Sequence, residues 1–175
     1  MPRLKNLTHD KDAEDATDMV DVPSDQRWEA TVEKTLPAIV IIDSCAPWYF
    51  DTDTAGCNEA TGFVVDAKNG YILTNKHVVG RGPSWCRAVF YQRADECLIY
   101  PVYVDPLHDF AICRFDPSSV QNLKIAEIPM KPDLAKVGLE VRLLGNDAGE
   151  CMSIFSGVIS RVDRNAPDTS ANDMS

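Results

Sequence analysis

The sequence predicts an all-β fold, either a barrel or a sandwich. Short apolar runs rich in β-branched and aromatic residues recur along the chain, and turn signals separate them roughly every dozen residues. There is neither an internal repeat nor an alternation of strands with helices. The chain has 175 residues and a hydrophobic fraction of 45%, which is enough for one ordinary domain with a core.

The composition argues against nucleic acid and membrane as partners. The formal net charge is −10, and a protein that binds nucleic acid needs lysine and arginine to replace the counterions of the phosphates. No window reaches eighteen uninterrupted apolar residues, so no membrane span is predicted. The polar, acidic N-terminus lacks the apolar region of a secretory signal, which predicts a location in the nucleus or cytoplasm.

One helix is predicted, near the N-terminus. Residues 1–23 are charged and aperiodic, so they are expected to form a disordered acidic arm. Ser24 or Asp25 can cap a helix that runs to Leu36, with Trp28, Val32 and Leu36 on one face. A proline follows directly and ends this helix.

Strands are predicted from there on. The hairpin "ATGFVVDAKNGYILTNK" (60–76) turns at Asn69-Gly70, a dipeptide that tolerates the positive φ angles of a tight turn. The other predicted strands are 38–43, 87–92, 97–105, 109–116, 137–146 and 153–162. A polar tail follows Asp163.

The cysteines favour free thiols over disulfides or a metal site. The six are Cys45, Cys57, Cys86, Cys97, Cys113 and Cys151. With no secretory signal, disulfides are not expected, and no C-x-x-C pair suggests zinc. Cys113 lies inside the apolar pattern "FAICRF" and is predicted to be a core residue. No cofactor or metal site is predicted.

His77 is a candidate general base. It directly follows a predicted strand in "GYILTNKHVV", and imidazole has an ordinary pKa of about 6.5, which suits proton transfer near neutrality. Asp109, at the start of the predicted strand "DFAICRFD", is the best candidate to orient it. A purely structural histidine and a turn-forming aspartate are the alternatives. Asp105 competes but precedes a proline and favours a turn, and His108 is expected to face away from Asp109.

Three blocks resemble one known family. "ATGFVVD…GYILTNKHVV", "PVYVDPLHDFAICRFD" and "GLEVRLLGNDAGE…SIFSGVISRVDRNAP" are similar to the HtrA/Deg serine proteases, and most of all to the long, nuclear, pro-apoptotic HtrA-like proteases of fungi. The resemblance covers roughly residues 26–167 and implies a trypsin-type fold. It also implies that His77 is the general base, that Asp109 orients it, and that the substrates are proteins or peptides.

The resemblance divides the chain into four parts. It implies a six-stranded first barrel at 24–136, carrying His77 and Asp109, and the opening strands of an incomplete second barrel at 137–165. The disordered arm (1–23) precedes them and a polar tail (166–175) follows. Two strands cannot close a barrel, so exposed edges and apolar faces are expected.

The family's nucleophile segment, G-x-S-G, does not occur in these residues. Ser156, in "FSGV", fits a strand serine better, and Cys151 lacks the flanking glycine that would free oxyanion donors. The chain is therefore expected to be the N-terminal part of such a protease and to be inactive by itself. The alternative function is a non-catalytic module that associates with the full-length protease or with another copy.

Overall fold

The structure, a computed structural model, describes residues 24–49, 55–90, 96–147 and 151–162. The predicted disordered arm (1–23) and polar tail (166–175) lie outside them. Two α-helices are described, α1 (Ser24–Thr35) and α2 (Lys76–Val79). The strands are β1 (Ile39–Ala46), β2 (Gly56–Asp66), β3 (Tyr71–Thr74), β4 (Trp85–Phe90), β5 (Glu96–Val104), β6 (Ala111–Phe115), β7 (Glu140–Asp147) and β8 (Cys151–Val158).

The predicted all-β class is confirmed. Strands β1 to β6 form a closed antiparallel barrel in the order β1-β2-β3-β6-β5-β4, and β7 and β8 form a separate two-stranded sheet. Helix α1 begins at Ser24 and ends at Thr35, one residue before the predicted end, because a 3-10 turn that contains Pro37 follows it. The six-stranded barrel and the short helix expected from the sequence are thus both present.

The hairpin between β2 and β3 turns at Asn69-Gly70, as predicted. Gly70 has a φ of +75°, and a Cβ atom there would overlap the main-chain carbonyl of Phe115. The close approach of the two main chains allows Phe115 N to donate to Gly70 O at 2.9 Å, and this bond connects the turn to the end of β6. Glycine therefore serves two needs here, the left-handed backbone and the lack of a side chain.

The barrel interior is filled by alternate residues of its strands. Phe115 and Phe90 meet edge to face with ring centroids 5.5 Å apart. Cys113 is fully buried, as predicted, and burial raises its pKa to about 12. Fully buried aliphatic side chains complete this core: Val40, Ile42, Val64, Ile72, Val79 and Ile99.

The expectation that all six cysteines are free is wrong. Cys45 and Cys57 form a disulfide. The two residues lie directly opposite each other in the β1–β2 ladder, with Cα atoms 4.1 Å apart. Reasoning from compartment and C-x-x-C spacing could not detect this pair, because only the strand register brings the residues together. Cys86, Cys97 and Cys113 are free and buried.

The β7–β8 sheet contacts the barrel and helix α1. Asn146 N donates to Thr61 Oγ1 at 2.8 Å, and its side-chain amide donates to Glu59 Oε2 at 3.4 Å. The guanidinium of Arg142 lies over the Trp28 ring, 4.2 Å from its centroid. Arg142 on β7 therefore packs against the face of α1 on which Trp28 was predicted to lie.

This sheet also exposes apolar side chains. Leu143 and Phe155 are directly opposite each other and are 63% and 48% exposed, and Ile154 is half exposed. A strand pair needs a partner surface to bury such residues. None of the helices in the described part of the chain is long and apolar enough to cross a membrane.

Candidate active site

A single helical turn carries His77. Strand β3 ends at Thr74, Asn75 is extended, and α2 covers residues 76–79. Val78 and Val79 are buried, so they anchor this turn to the barrel core. The His77 side chain is 72% exposed. The valine pair after the histidine therefore fixes the main chain while leaving the imidazole open to solvent.

Asp109 lies in the loop between β5 and β6. It precedes β6 by two residues, so it belongs to the loop rather than to the strand that the sequence predicted. Its side chain is 36% exposed, so the carboxylate is only partly shielded from solvent. Antiparallel pairing of β3 with β6, with Thr74 opposite Ala111, brings the end of β3 and the start of β6 to the same end of the barrel.

The structure brings His77 and Asp109 into contact at two points. His77 Nδ1 lies 2.6 Å from Asp109 Oδ2, and the main-chain N–H of His77 donates to Asp109 Oδ1 at 3.0 Å. One carboxylate oxygen thus holds the ring while the other holds its backbone. This two-point contact restricts rotation of the imidazole about its side-chain bonds.

Asn75 is a further residue of the site, and it was not predicted from the sequence. Its Nδ2 donates to the main-chain carbonyl of Asp109 at 3.0 Å and to Asp109 Oδ2 at 3.2 Å. A polar residue between the last strand residue and the one-turn helix was the available signal. Nothing in the sequence indicated that its amide reaches across 34 positions to the same aspartate.

Electrostatics favour an ionised Asp109. Partial burial raises the pKa of this carboxyl, but the main-chain N–H of His77, the His77 ring and Asn75 together hold the pKa below its ordinary value. An ionised carboxylate has only acceptor oxygens, so His77 Nδ1 must donate to it. In the neutral ring, Nε2 then carries the lone pair and can accept a proton.

Asp105 and His108 pair with each other rather than with His77 or Asp109. Asp105 Oδ1 accepts hydrogen bonds from the main-chain N–H groups of Leu107 and His108, as expected of a residue that starts a turn at a proline. His108 Nδ1 lies 3.1 Å from the same oxygen. His108 was expected to face away from Asp109 because of strand alternation, but both residues lie in a loop, and the pairing with Asp105 orients His108.

Ser156 and Cys151 both lie in β8. Ser156 pairs across the sheet with Arg142, and Cys151 is the first residue of the strand. Ser156 is thus placed as a strand serine, the interpretation that the sequence favoured. Among the described residues, no group of three His, Cys, Asp or Glu side chains could hold a metal ion.

Comparison with known proteins gives matches in sequence and in structure. The family described as "Trypsin-like peptidase domain" matches residues 60–174. The pro-apoptotic serine protease NMA111 of Pyricularia oryzae is 55% identical over 146 residues, which is 83% of this chain and 14% of that protein. NMA111 of Aspergillus niger is 50% identical over 162 residues, 90% of this chain and 16% of that protein.

Two solved structures share the fold. An HtrA-type protease, AlgW, with a bound tripeptide has a TM-score of 0.67 at 22% identity and covers 81% of this chain and 42% of its own. Deg5 has a TM-score of 0.65 at 22% identity, over 83% of this chain and 68% of its own. This chain spans about one seventh of the length of the NMA111 relatives.

Proposed function

Because the chain belongs to the trypsin-like peptidase family, we propose that it provides the proton-transfer half of a serine endopeptidase related to HtrA and NMA111. In this proposal His77 is the general base and Asp109 is the acid that orients it. The substrates are unfolded or regulatory proteins, as in protein quality control or pro-apoptotic proteolysis. The location is the nucleus or cytoplasm, and neither nucleic acid nor membrane is a partner.

The observation that carries this proposal is the 2.6 Å contact between His77 Nδ1 and Asp109 Oδ2. With Nδ1–H held by the carboxylate, Nε2 accepts the proton of an attacking hydroxyl. The imidazolium that forms lies beside an ionised Asp109, which stabilises its charge. The same ring then returns the proton to the leaving amine.

The nucleophile has to come from outside these 175 residues, since they contain no G-x-S-G segment. We propose that the described barrel (within 24–136) and the β7–β8 sheet (within 137–165) work only in a longer polypeptide. That polypeptide supplies the hydroxyl and the oxyanion donors. The 175 residues by themselves then form no acyl-enzyme and do not cleave peptide bonds.

A chimera tests the assignment. The chain replaces the matching segment of the Pyricularia oryzae NMA111, and cleavage of unfolded casein is measured. His77→Ala and Asp109→Asn should each lower kcat by about 10⁴-fold or more. Asp116→Asn is the matched control for Asp109→Asn, because Asp116 lies at the far end of β6 and accepts a hydrogen bond from Ser118 N instead, and this change should alter kcat by less than about threefold.

Two outcomes would contradict the proposal. Cleavage by the chimera that survives His77→Ala would remove His77 from the general-base role. Turnover of casein by the isolated 175-residue chain, or labelling of that chain by a fluorophosphonate probe, would show that a nucleophile is present within it. Fluorophosphonate labelling of the unsubstituted chimera verifies that its site has assembled.

The exposed apolar residues of β7 and β8 support a second candidate function. Leu143, Ile154 and Phe155 need a partner surface. We propose as the alternative that the chain associates without catalysis with a full-length protease or with another copy. Size-exclusion chromatography at micromolar concentration, alone and with the Pyricularia oryzae protein, tests this. The proposal would be contradicted if the chain alone elutes at the volume of a monomer and this volume does not change when the Pyricularia oryzae protein is added.

A further inference from the structure

We propose that Asp105 is a positioning residue that holds Asp109 at the place where its carboxylate contacts His77. Asp105 acts through the loop between β5 and β6 and does not itself reach the reacting atoms. The effect of Asp105 on catalysis rests on the proposed function. The effect of Asp105 on the position of Asp109 does not, because it is a property of the folded chain.

The first observation is that Asp105 is tied to both chain neighbours of Asp109. Its carboxylate accepts from the main-chain N–H of His108 at 2.6 Å, and its own main-chain N–H donates to Phe110 O at 3.0 Å. The main chain closes the same loop once more, because Phe110 N donates to His108 O at 3.0 Å. Asp109 is therefore held at the residue before it and the residue after it.

The second observation is the environment of the Asp105 carboxylate. Its side chain is only 13% exposed, against 36% for Asp109. A carboxylate shielded in this way is tolerated when hydrogen bonds satisfy its oxygens. Besides the His108 main chain, Leu107 N donates to Oδ1 at 2.9 Å and the Tyr103 hydroxyl donates to Oδ2 at 2.9 Å.

Ring contacts reinforce this arrangement. Tyr103 and Phe110 have centroids 5.8 Å apart, and His108 stacks on Phe110 at 6.4 Å. Tyr103 and His108, two of the three residues that donate to the Asp105 carboxylate, therefore also contact the ring of Phe110, which follows Asp109 directly. A displacement of Asp105 disturbs these rings and the main chain of Asp109 together.

The consequence is a fixed starting geometry for the His77 contact. The bonds from His77 and Asn75 to Asp109 require both of its carboxylate oxygens and its main-chain carbonyl to stay in place. A loop free to rotate at Asp109 would hold one or two of these bonds but not all of them. Asp105 removes that freedom from the opposite side of the loop.

NMR on the isotope-labelled 175-residue chain tests the proposal without any need for activity. In Asp105→Ala, the hydrogen-bonded Nδ1–H signal of His77 should move upfield or broaden beyond detection. The pKa of the Asp109 carboxyl should rise toward its ordinary value as the donors are lost. Asp105→Asn keeps an acceptor oxygen for the Leu107 and His108 N–H groups and should restore most of both signals.

Asp116 supplies a matched control. It also precedes a proline and accepts from the main-chain N–H two residues later, Ser118 N, at 2.9 Å. It lies at the opposite end of β6 from Asp109. Asp116→Ala therefore removes the same kind of turn and should leave the His77 Nδ1–H signal and the Asp109 titration unchanged.

The outcomes separate positioning from a purely structural role. A folded Asp105→Ala variant with unchanged His77 and Asp109 signals would overturn the proposal. If that variant does not fold, Asp105→Ser, which keeps one acceptor for the turn but is too short to span to Tyr103, decides in the same way. In the chimera, Asp105→Ala should lower kcat by about tenfold or more at unchanged KM. A chimera without activity leaves the NMR result standing, so failure of the proposed function is distinguishable.

Discussion

Asn75 and Asp109 are joined by two hydrogen bonds from one amide group. Nδ2 of Asn75 reaches the main-chain carbonyl of Asp109 at 3.0 Å and its carboxylate at 3.2 Å. Asn75, the residue directly before α2, is thereby bonded to Asp109, the residue that contacts His77. The His77–Asp109 pair is thus supported from the side of His77 by Asn75 and from the far side of the loop by Asp105.

Replacing Asn75 by alanine should weaken this connection. The pKa of Asp109 is held low in part by the Asn75 amide, so Asn75→Ala should raise it. The loss of the bonds should also lower the free energy of unfolding by about 1 kcal/mol. Carbon-13 NMR titration of the Asp109 carboxyl and urea unfolding measure the two effects.

Asn69 offers the control for this prediction. Its Nδ2 donates to Asp66 Oδ2 at 2.7 Å, an equivalent asparagine–aspartate pair at the β2–β3 hairpin. Asn69→Ala should leave the Asp109 titration unchanged even if the hairpin loses stability. An equal rise of the Asp109 pKa in both variants would mean that Asn75 acts only through global stability.

Acid should destabilise the chain, and Asp105 should contribute to that loss. Main-chain donation by His108, with further donors nearby, lowers the pKa of Asp105 from its ordinary value of 3.8 to about 2. Between these two values the unfolded chain binds more protons than the folded chain, so stability rises with pH in this window. The contribution of Asp105 is fully present above about pH 4 and is lost as the pH falls through about 2.

Urea unfolding at a series of pH values measures this contribution. Asp105→Asn cannot titrate, so the free energy of unfolding should vary less steeply between pH 4 and pH 2 than in the parent chain. Part of the slope should remain, because the pKa values of Asp66, Asp109 and Asp116 are also lowered. Parallel curves for the variant and the parent would contradict the assigned pKa of Asp105.

Gly70 should tolerate no side chain. Alanine there has to adopt a left-handed backbone and also displace the carbonyl of Phe115, so Gly70→Ala should cost about 2 kcal/mol or more. Gly157→Ala is the matched control, since the nearest atom to a Cβ there is 3.9 Å away. Its effect should stay within about 1 kcal/mol. Thermal unfolding of both variants measures the difference, and equal losses would contradict the role of the Gly70 turn.

Local sequence patterns predicted most of the barrel. Alternating apolar residues and the Asn69-Gly70 turn signal depend on neighbours in the chain, so the strands and the hairpin could be placed without coordinates. The pairing of His77 with Asp109 was predicted from the chemistry that each residue offers and from the family resemblance. Their 2.6 Å contact depends on the register of β3 against β6, which the sequence alone does not reveal.

The features that the sequence did not predict share one cause. The Cys45–Cys57 disulfide and the hydrogen bonds from Asn75 to Asp109 both depend on which parts of the chain the barrel brings side by side. Cysteine spacing suggested free thiols, and Asn75 looked like an ordinary polar residue between two elements. Side-chain partners across a sheet follow from register, and register is a property of the whole barrel.

The disulfide should stabilise the barrel under oxidising conditions. Cys45 and Cys57 are 12 positions apart, and closing a loop of this size in the unfolded chain is worth about 3 kcal/mol. Reduction with dithiothreitol should therefore lower the free energy of unfolding by roughly that amount, as measured by urea unfolding with and without the reductant. Cys57→Ser should show the lower stability from the outset and should no longer respond to the reductant.

Peptide mapping after alkylation provides the independent readout. In the native, oxidised chain, Cys45 and Cys57 should remain linked, and Cys97 and Cys113 should resist iodoacetamide, because burial raises their pKa values to about 11 and about 12. After mild reduction Cys57, which is exposed, should be alkylated first. Alkylation of Cys57 before any reduction would show that the bond does not form. If the free energy of unfolding of the parent chain does not change with dithiothreitol, the disulfide contributes nothing to the stability of the fold.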